Sequence, residues 1–228
     1  REILHGVDLT IPQGKFVSLV GESGCGKSTI LSMLAGQLAP SEGSIYIGGT
    51  IGYMLQKDYL LQWRSIRSNA LLGLEIQKKL TPENVAYVDT LLAQYGLGDF
   101  KNSLPNQLSG GMRQRAALIR TLAVRPDILL LDEPFSALDY QTRLSVSDEI
   151  GTIIREEGKT AILVTHDISE AISLSDRVVV LSKRPARLKK IFPIQFSTEN
   201  HTPMQAREAP EFKDYFNAIW KELDVHVS

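Results

Sequence analysis

A glycine-rich segment near the beginning of the chain has the residues needed to bind phosphate. Segment 21–28 reads Gly-Glu-Ser-Gly-Cys-Gly-Lys-Ser and fits the pattern G-x-x-x-x-G-K-[ST] without a mismatch. Glycines are needed where the backbone approaches phosphate closely and adopts conformations that a Cβ would resist. We expect Lys27 to reach the β- and γ-phosphates of a nucleotide and the Ser28 hydroxyl to bind Mg²⁺. The residues assigned to nucleotide binding here are Gly21, Glu22, Ser23, Gly24, Cys25, Gly26, Lys27, Ser28 and Thr29.

Two adjacent carboxylates, Asp132 and Glu133, follow the apolar run 128–131. The run predicts a buried strand, and ligands bind outside the carboxyl ends of strands in open α/β sheets. We expect Asp132 to hold Mg²⁺ through its water shell. Glu133 points elsewhere and is suited to orient and deprotonate an attacking water. The alternative is that both acids are solvated residues at the end of a strand.

A third segment, Ser109, Gly110 and Gly111, precedes a stretch with apolar residues at helical spacing. Ser109 is expected to cap that helix, and the amides around it form a second cradle for an anion. Taken alone, the segment is more simply interpreted as an ordinary helix N-cap. The phosphate loop alone also leaves kinases, GTPases, helicases and transport ATPases open.

The predicted elements must bring these segments together. Short apolar runs predict buried strands, and they alternate with helical patterns, which favours a parallel sheet with crossover helices. The strands are predicted at 15–20, 127–131, 159–164 and 177–181, with a further strand-like stretch at 44–53. Between them, a helix is predicted at 28–38, and residues 57–124 read as a helical lobe containing amphipathic stretches 82–95 and 110–124.

The C-terminal part of the chain changes character after the last predicted strand. Residues 192–210 are rich in proline and polar side chains and are followed by apolar residues at helical spacing. These apolar residues are Phe212, Tyr215, Phe216, Ile219 and Leu223. We expect a final helix that docks by this aromatic face, the alternative being a helix kept free for a partner.

Composition excludes several classes of function. The 228 residues carry 25 basic and 26 acidic side chains, so the net charge of −1 argues against a nucleic-acid partner. The single cysteine, Cys25, cannot form an internal disulfide and fits a reducing compartment. Because no apolar run is long enough to span a bilayer, we expect a soluble protein that reaches a membrane only through a partner.

The order of the motifs resembles the ABC ATPase family. Besides the phosphate loop and Asp132-Glu133, the family's pattern is matched by Gln56, by segment 108–115, by Ser136-Ala137-Leu138-Asp139 and by His166. The resemblance implies an α/β P-loop NTPase with a RecA-like parallel or mixed sheet, an antiparallel β portion and an inserted α-helical subdomain. It implies one ABC ATPase domain over 1–228, with an ATP-binding core at 1–56 and 124–195. The rest of this domain is a signature lobe at 57–123 and a C-terminal extension with an amphipathic helix at 196–228.

The family also implies a role for each matched residue. Two copies bind head to tail, so that Ser109, Gly110 and Gly111 of one copy cover the ATP held by the other. Gln56 contacts Mg²⁺ and the attacking water and senses a transmembrane partner. His166 contacts the γ-phosphate, although a lone histidine is more often structural, and Asp139 communicates across the dimer.

Segments 60–64, 108–115, 132–139 and 179–185 look like those of the nitrate, sulfonate and taurine importers, whose relatives also serve pyrimidine precursors. This implies permease subunits as partners, a solute-binding protein acting indirectly, and a cytoplasmic location on the inner face of the membrane. Exporters share every core motif, so the expectation of import rests only on the resemblance to this importer subfamily. Trp63 is either a core residue or part of the groove that receives the permease.

Two departures from the family are visible. Met112 replaces the usual glutamine, as is common in this subfamily. The aromatic residue that stacks on adenine lies well upstream of the P-loop lysine in the family, and Lys27 is too close to the first residue for that. His5 lies too near the loop to replace it. We therefore expect that the given sequence lacks the native N-terminus.

Other functional classes fit less well. Soluble ABC ATPases of DNA repair carry long coiled-coil insertions and those of translation carry tandem cassettes, neither of which is expected here. A GTP switch would need an Asn-Lys-x-Asp motif, which is missing from the sequence. A noncatalytic regulatory cassette is disfavoured because Lys27, Gln56, Asp132, Glu133 and His166 are all intact.

Overall fold

A six-stranded sheet forms the centre of the computed structural model, which describes residues 2–197 and 202–223. The strands are β1 Phe16–Val20, β2 Ile51–Met54, β3 Ile128–Asp132, β4 Thr160–Val164, β5 Arg177–Leu181 and β6 Leu188–Pro193. Their order in the sheet is β2-β3-β4-β1-β5-β6, with every neighbouring pair parallel except β5 and β6. The predicted α/β fold with a mixed sheet is confirmed.

Helices cover both faces of this sheet. Within the described residues they are α1 Lys27–Leu34, α2 Ile66–Ala70, α3 Leu72–Ile76, α4 Pro82–Gln94, α5 Gly110–Leu122, α6 Tyr140–Glu156, α7 Ile168–Leu174, α8 Pro203–Glu208 and α9 Pro210–Leu223. Helices α2 to α5 all lie in the chain between β2 and β3. None of the helices of residues 2–197 and 202–223 is both long and apolar enough to cross a membrane.

The strands are apolar on both faces because each face is covered. Successive side chains of a strand point to opposite sides. Accordingly, Leu129 and Leu131 of β3 join a buried cluster with α5 and α6, whereas Leu130 joins a second cluster with Ile30 and Leu31 of α1. All five residues of β1 are buried, as are all five of β4. The carboxyl ends of β1, β3 and β4 therefore form a rigid edge, and each is followed by one of the predicted motifs.

Helix α9 docks on the sheet by its aromatic face, as predicted. Ile219 is fully buried, and Phe212 and Phe216 pack against the same cluster, which includes Val178 of β5 and Phe192 of β6. Trp220 lies at the edge of this face, stacked on the ring of Phe216, and is 52% exposed. The free-helix alternative is therefore wrong.

Several predicted elements differ from the structure. In the strand-like stretch 44–53 only β2 is a strand, because Tyr46 is 94% exposed and no layer covers residues 44–50. The helix predicted at 28–38 ends at Leu34, where Gly36 takes a left-handed φ of 72°. Strand β6 and helix α8 were not predicted. Residues 198–201 and 224–228 of the expected C-terminal extension lie outside the described residues.

Candidate functional site

The phosphate loop connects the end of β1 to the beginning of α1. Gly24 and Gly26 have φ angles of 76° and 126°, which a residue with a Cβ adopts only under strain. A Cβ on Gly26 would also lie 2.8 Å from a methyl carbon of Leu4. The loop is packed tightly at its base, because a Cβ on Gly21 would lie 2.9 Å from the Cys25 sulfur. Glycine is thus required at these positions by the backbone itself.

Lys27 lies inside this loop. Its ammonium donates hydrogen bonds to the carbonyl oxygens of Gly21 at 2.8 Å and Glu22 at 3.0 Å, and the residue is 5% exposed. The Glu22 carboxylate turns outward and pairs with Lys183 at 3.2 Å. The remaining loop residues divide between buried Cys25, half-buried Thr29 and exposed Ser23 and Ser28. One buried cation therefore sits within an arch of backbone, next to the first turn of a helix.

Asp132 links the end of β3 to the phosphate loop. Its Oδ1 accepts a hydrogen bond from the Ser28 hydroxyl at 3.2 Å, and its Oδ2 accepts one from the Tyr53 hydroxyl at 3.4 Å. Burial raises the pKa of the Asp132 carboxyl, although the hydrogen bond from Ser28 opposes this. Burial, and then the negative charge of Asp132, likewise raises the pKa of Tyr53. Tyr53 was not predicted as a site residue, since nothing in its own segment indicates a partner on β3.

Glu133 and His166 face each other beyond the ends of β3 and β4. Nδ1 of His166 lies 3.3 Å from Oε2 of Glu133, and their side chains are 53% and 26% exposed. Glu133 has a φ of 45°, an unfavourable backbone conformation for a residue with a side chain. Its N–H donates to the Val164 carbonyl at 2.9 Å, which fixes this conformation against β4. The strained backbone directs the second carboxylate away from Asp132, as the sequence predicts.

Gln56 is connected to the backbone of Glu133 through one intermediate residue, Ser136. Its side-chain amide donates to the Ser136 hydroxyl at 2.9 Å, and that hydroxyl donates to the Glu133 carbonyl at 3.0 Å. Gln56 is thus connected to the backbone of Glu133 rather than to Asp132. The hydroxyl of Ser136 is a contact that the sequence pattern did not predict.

The Ser109 segment lies apart from the phosphate loop. Ser109 caps α5 by accepting a hydrogen bond from the Met112 N–H at 3.3 Å, so the predicted cap is confirmed. Gly110 and Gly111 pack against α6 and the turn before it, where a Cβ on Gly111 would lie 2.6 Å from a methyl carbon of Val146. Within the described part of the chain, no hydrogen bond joins these three residues to segment 21–28.

Comparison with known proteins identifies the family that has this arrangement. Residues 4–136 match the family model described as ABC transporter. The chain is 50% identical over 220 residues, covering 93% of this chain and 85% of the relative, to an uncharacterized ABC transporter ATP-binding protein, YtlC, of Bacillus subtilis. The chain belongs to the ABC transporter family.

Other relatives of this ABC ATPase have more specific names. A taurine import ATP-binding protein of Jannaschia is 41% identical over 87% of this chain and 77% of its own length. An aliphatic sulfonates import ATP-binding protein of Rhodopseudomonas palustris is 42% identical over 85% and 70%. Among solved structures, the dimeric cassette MJ0796 bound to ADP and Pi is 31% identical, with a TM-score of 0.70 over 85% of this chain and 91% of that one.

This ABC ATPase also has a buried acid that the sequence patterns did not indicate. Glu170, in the first turn of α7, is 3% exposed and lines the same narrow cleft as Glu133 and His166. The pKa of Glu170 is raised to about 7, chiefly by burial and also by the negative charge of Asp167, while the Thr165 side chain and the positive charges of Arg143 and Arg207 oppose the shift. Its position depends on packing between distant elements, so no local motif reveals it.

The raised pKa predicts a pH-dependent difference in stability between the wild type and Glu170→Gln. The folded protein retains the Glu170 proton up to about pH 7, whereas the unfolded chain releases it near the ordinary pKa of 4.5. The wild type therefore loses stability as the pH rises through this window. The positive charges of Arg143 and Arg207 make this loss smaller, and the negative charge of Asp167 makes it larger. Relative to the wild type, the variant should gain about 1 to 3 kcal/mol between about pH 5 and pH 8. Urea unfolding of both proteins across this range measures it, and parallel curves would contradict the shift.

Proposed function

We propose that this ABC ATPase energises an importer for a small anionic or heterocyclic solute, of the nitrate, sulfonate, taurine or pyrimidine-precursor class. The observation that carries this proposal is the identity of 41% and 42% to relatives named for the import of taurine and aliphatic sulfonates. Segments 60–64 and 179–185, which resemble the same importers, support it.

The geometry fits the binding of Mg²⁺ and ATP. Magnesium prefers hard oxygen ligands, and the Ser28 hydroxyl lies 3.2 Å from Oδ1 of Asp132 beside the phosphate loop. Ser28 would hold the ion directly and Asp132 through water, with the side-chain oxygen of Gln56 as a further ligand. The ion would supply positive charge that neutralises the phosphates. Lys27 and the loop amides would bind the β- and γ-phosphates.

Hydrolysis would then depend on Glu133 and His166. The Glu133 carboxylate accepts a proton from the attacking water, and His166, 3.3 Å away, holds that carboxylate while contacting the γ-phosphate. The hydrogen-bonded chain from Gln56 through Ser136 holds the backbone of Glu133 in place. Through these hydrogen bonds, a change in the position of Gln56 would also reach Glu133.

The active form would contain a second copy of the chain. Gly110 and Gly111 pack against α6 and the turn before it, and no described hydrogen bond joins the Ser109 segment to its own phosphate loop, so this segment is available to cover ATP held by a partner copy. The similarity to MJ0796, whose cassette is dimeric with ADP and Pi bound, supports the same arrangement. Asp139, which caps α6 by accepting a hydrogen bond from the Thr142 N–H at 3.1 Å, would lie at this interface.

A surface next to Gln56 would receive the permease subunits. Trp63 is 76% exposed, so the alternative that it is a core residue is wrong, and Leu55 and Tyr59 are exposed beside it in the chain. Arg120 of α5 donates to the carbonyl of Tyr59 at 2.9 Å, which holds this segment against the helix that Ser109 caps. Permease movement would thereby reach both the Gln56 chain and the Ser109 segment.

The subdomain boundaries and location follow from the same proposal. Residues 1–56 and 124–195 would form the ATP-binding core, 57–123 the signature lobe and 196–228 the extension. The chain would sit in the cytoplasm on the inner face of the membrane through the permease, with a solute-binding protein acting indirectly on the other side.

Trp63→Ala tests the permease surface. Exposed tryptophans at interface centres contribute about 2 kcal/mol or more to binding, so affinity for the candidate permease in detergent should fall by that amount. The melting temperature should stay near the wild-type value because the side chain is largely exposed. Trp220→Ala is the matched control, since Trp220 is 52% exposed on α9. Equal affinity of Trp63→Ala and the wild type would remove this surface from the proposal.

A further inference from the structure

The turn that carries Trp63 is held from the inside by a buried amide. Asn69 of α2 is fully buried, and its Oδ1 accepts a hydrogen bond from the Leu61 N–H at 2.7 Å. Its Nδ2 donates to three carbonyl oxygens, those of Leu61 and Arg64 at 3.0 Å and that of Ser65 at 3.1 Å. The Arg64 N–H closes the turn by donating to the Leu61 carbonyl at 3.0 Å. One side chain therefore satisfies backbone groups at both ends of this turn.

The side chain of Arg64 attaches the same turn to two helices. Its Nε donates to the Ser68 hydroxyl of α2 at 2.9 Å, and its Nη2 lies 2.5 Å from the Glu75 carboxylate of α3. The backbone of the turn is thus fixed by two independent side chains, of which Asn69 is fully buried and Arg64 is 22% exposed.

Trp63 projects from this fixed backbone. It is 76% exposed, whereas Leu60 and Ile66, on either side of the turn, are buried. Buried neighbours and satisfied backbone groups leave the backbone few alternative conformations. A partner that binds the indole ring therefore does not have to order the backbone that carries it, and an element preorganised in this way binds more tightly than a flexible one.

We propose that residues 61–64 form a preformed docking element for a permease subunit, in which Asn69 and Arg64 are positioning residues for Trp63. The partner surface contains an apolar pocket that receives the indole ring. Because Asn69 is fully buried, it does not touch the permease, and its effect on binding acts through the turn. This inference rests on the proposed role of Trp63 at the permease surface.

The test measures the affinity of the full chain for the candidate permease in detergent, with Asn69→Ala and Arg64→Met each made alone and together with Trp63→Ala. We expect Asn69→Ala to weaken binding roughly tenfold, the value of ordering about one residue of backbone. Arg64→Met should weaken binding roughly threefold, as expected for one partly exposed ion pair. Each double variant should bind no more weakly than Trp63→Ala, because the positioning residues act only through the indole ring.

Two control variants separate this role from a general loss of stability. Thr121→Val removes a buried hydroxyl that donates to the Ala117 carbonyl at 2.9 Å in α5, and Arg67→Met removes an ion pair with Asp89 at 2.6 Å. Both changes lie between β2 and β3 but outside the turn, so both controls should bind the permease as the wild type does.

The results separate this inference from the proposed permease surface. Wild-type affinity in Asn69→Ala and Arg64→Met, with weak binding by Trp63→Ala, would overturn the inference alone. Wild-type affinity in Trp63→Ala would instead refute the permease surface. Losses that add to that of Trp63→Ala, or equal losses in the two controls, would also overturn the inference. Thermal melting shows whether each variant folds, and if Asn69→Ala does not, Arg64→Met decides the test because it changes a partly exposed side chain.

Discussion

Glu133→Gln is expected to lower ATP turnover by roughly a hundred- to ten-thousand-fold while leaving ATP affinity close to that of the wild type. The amide matches the carboxylate in size, so the strained backbone at φ 45° and its hydrogen bond to Val164 are preserved. What is lost is the basicity needed to accept a proton from the attacking water. Binding is unaffected because the phosphates are held by the loop at 21–28 and by Lys27.

Turnover and nucleotide affinity of Glu133→Gln are measured on the same preparation. Glu83→Gln provides the control, because Glu83 is 84% exposed in the first turn of α4 and contacts Arg125 only at 4.0 Å. Loss of ATP binding together with hydrolysis would assign Glu133 to the binding site instead. Retained hydrolysis would assign the base elsewhere.

Lys27→Ala is expected to weaken ATP binding by roughly ten- to a hundredfold, the value of one charged hydrogen bond to phosphate. The buried ammonium now donates to the Gly21 and Glu22 carbonyls, and a triphosphate in the loop would provide a stronger, anionic acceptor. Alanine leaves the loop glycines and the first turn of α1 in place, but it removes the buried positive charge.

Equilibrium binding of a fluorescent ATP analogue measures the change. Lys183→Ala is the matched control: its ammonium is 3.2 Å from the Glu22 carboxylate, yet its side chain is 62% exposed and lies outside the loop. We expect the control to bind nucleotide as the wild type does. Unchanged affinity in Lys27→Ala would refute the assignment of Lys27.

The elements that the sequence predicted correctly are those with a complete local pattern. Strands β1, β3, β4 and β5 are continuous apolar runs because both of their faces are buried. Residues 44–50 also contain a short apolar run, at 45–47, but no described strand pairs with it, so the pattern alone is insufficient. In β6 only Phe192 is buried, and its pairing with β5 cannot be seen locally. Helix α8 did leave a signal, the Thr202 and Gln205 capping box, within a segment that otherwise reads as polar coil.

The residues of the candidate site likewise differ in whether the local sequence reveals them. Segment 21–28 and the pair Asp132-Glu133 are contiguous, so residue types at fixed spacing indicate their chemistry. Tyr53, Ser136 and Glu170 act through contacts that form only when separate elements pack, and a solitary tyrosine, serine or glutamate gives no sign of its partner.

The most direct test of the proposed function is ATP turnover by the wild type and by Glu133→Gln, each with and without the candidate permease in lipid. We predict that the permease raises turnover of the wild type and that Glu133→Gln stays inactive in both conditions. Screening of sulfonates, nitrate and pyrimidine precursors as transported solutes would follow. Turnover that is independent of the permease would contradict the transport function and favour an ABC ATPase that acts in DNA repair or translation.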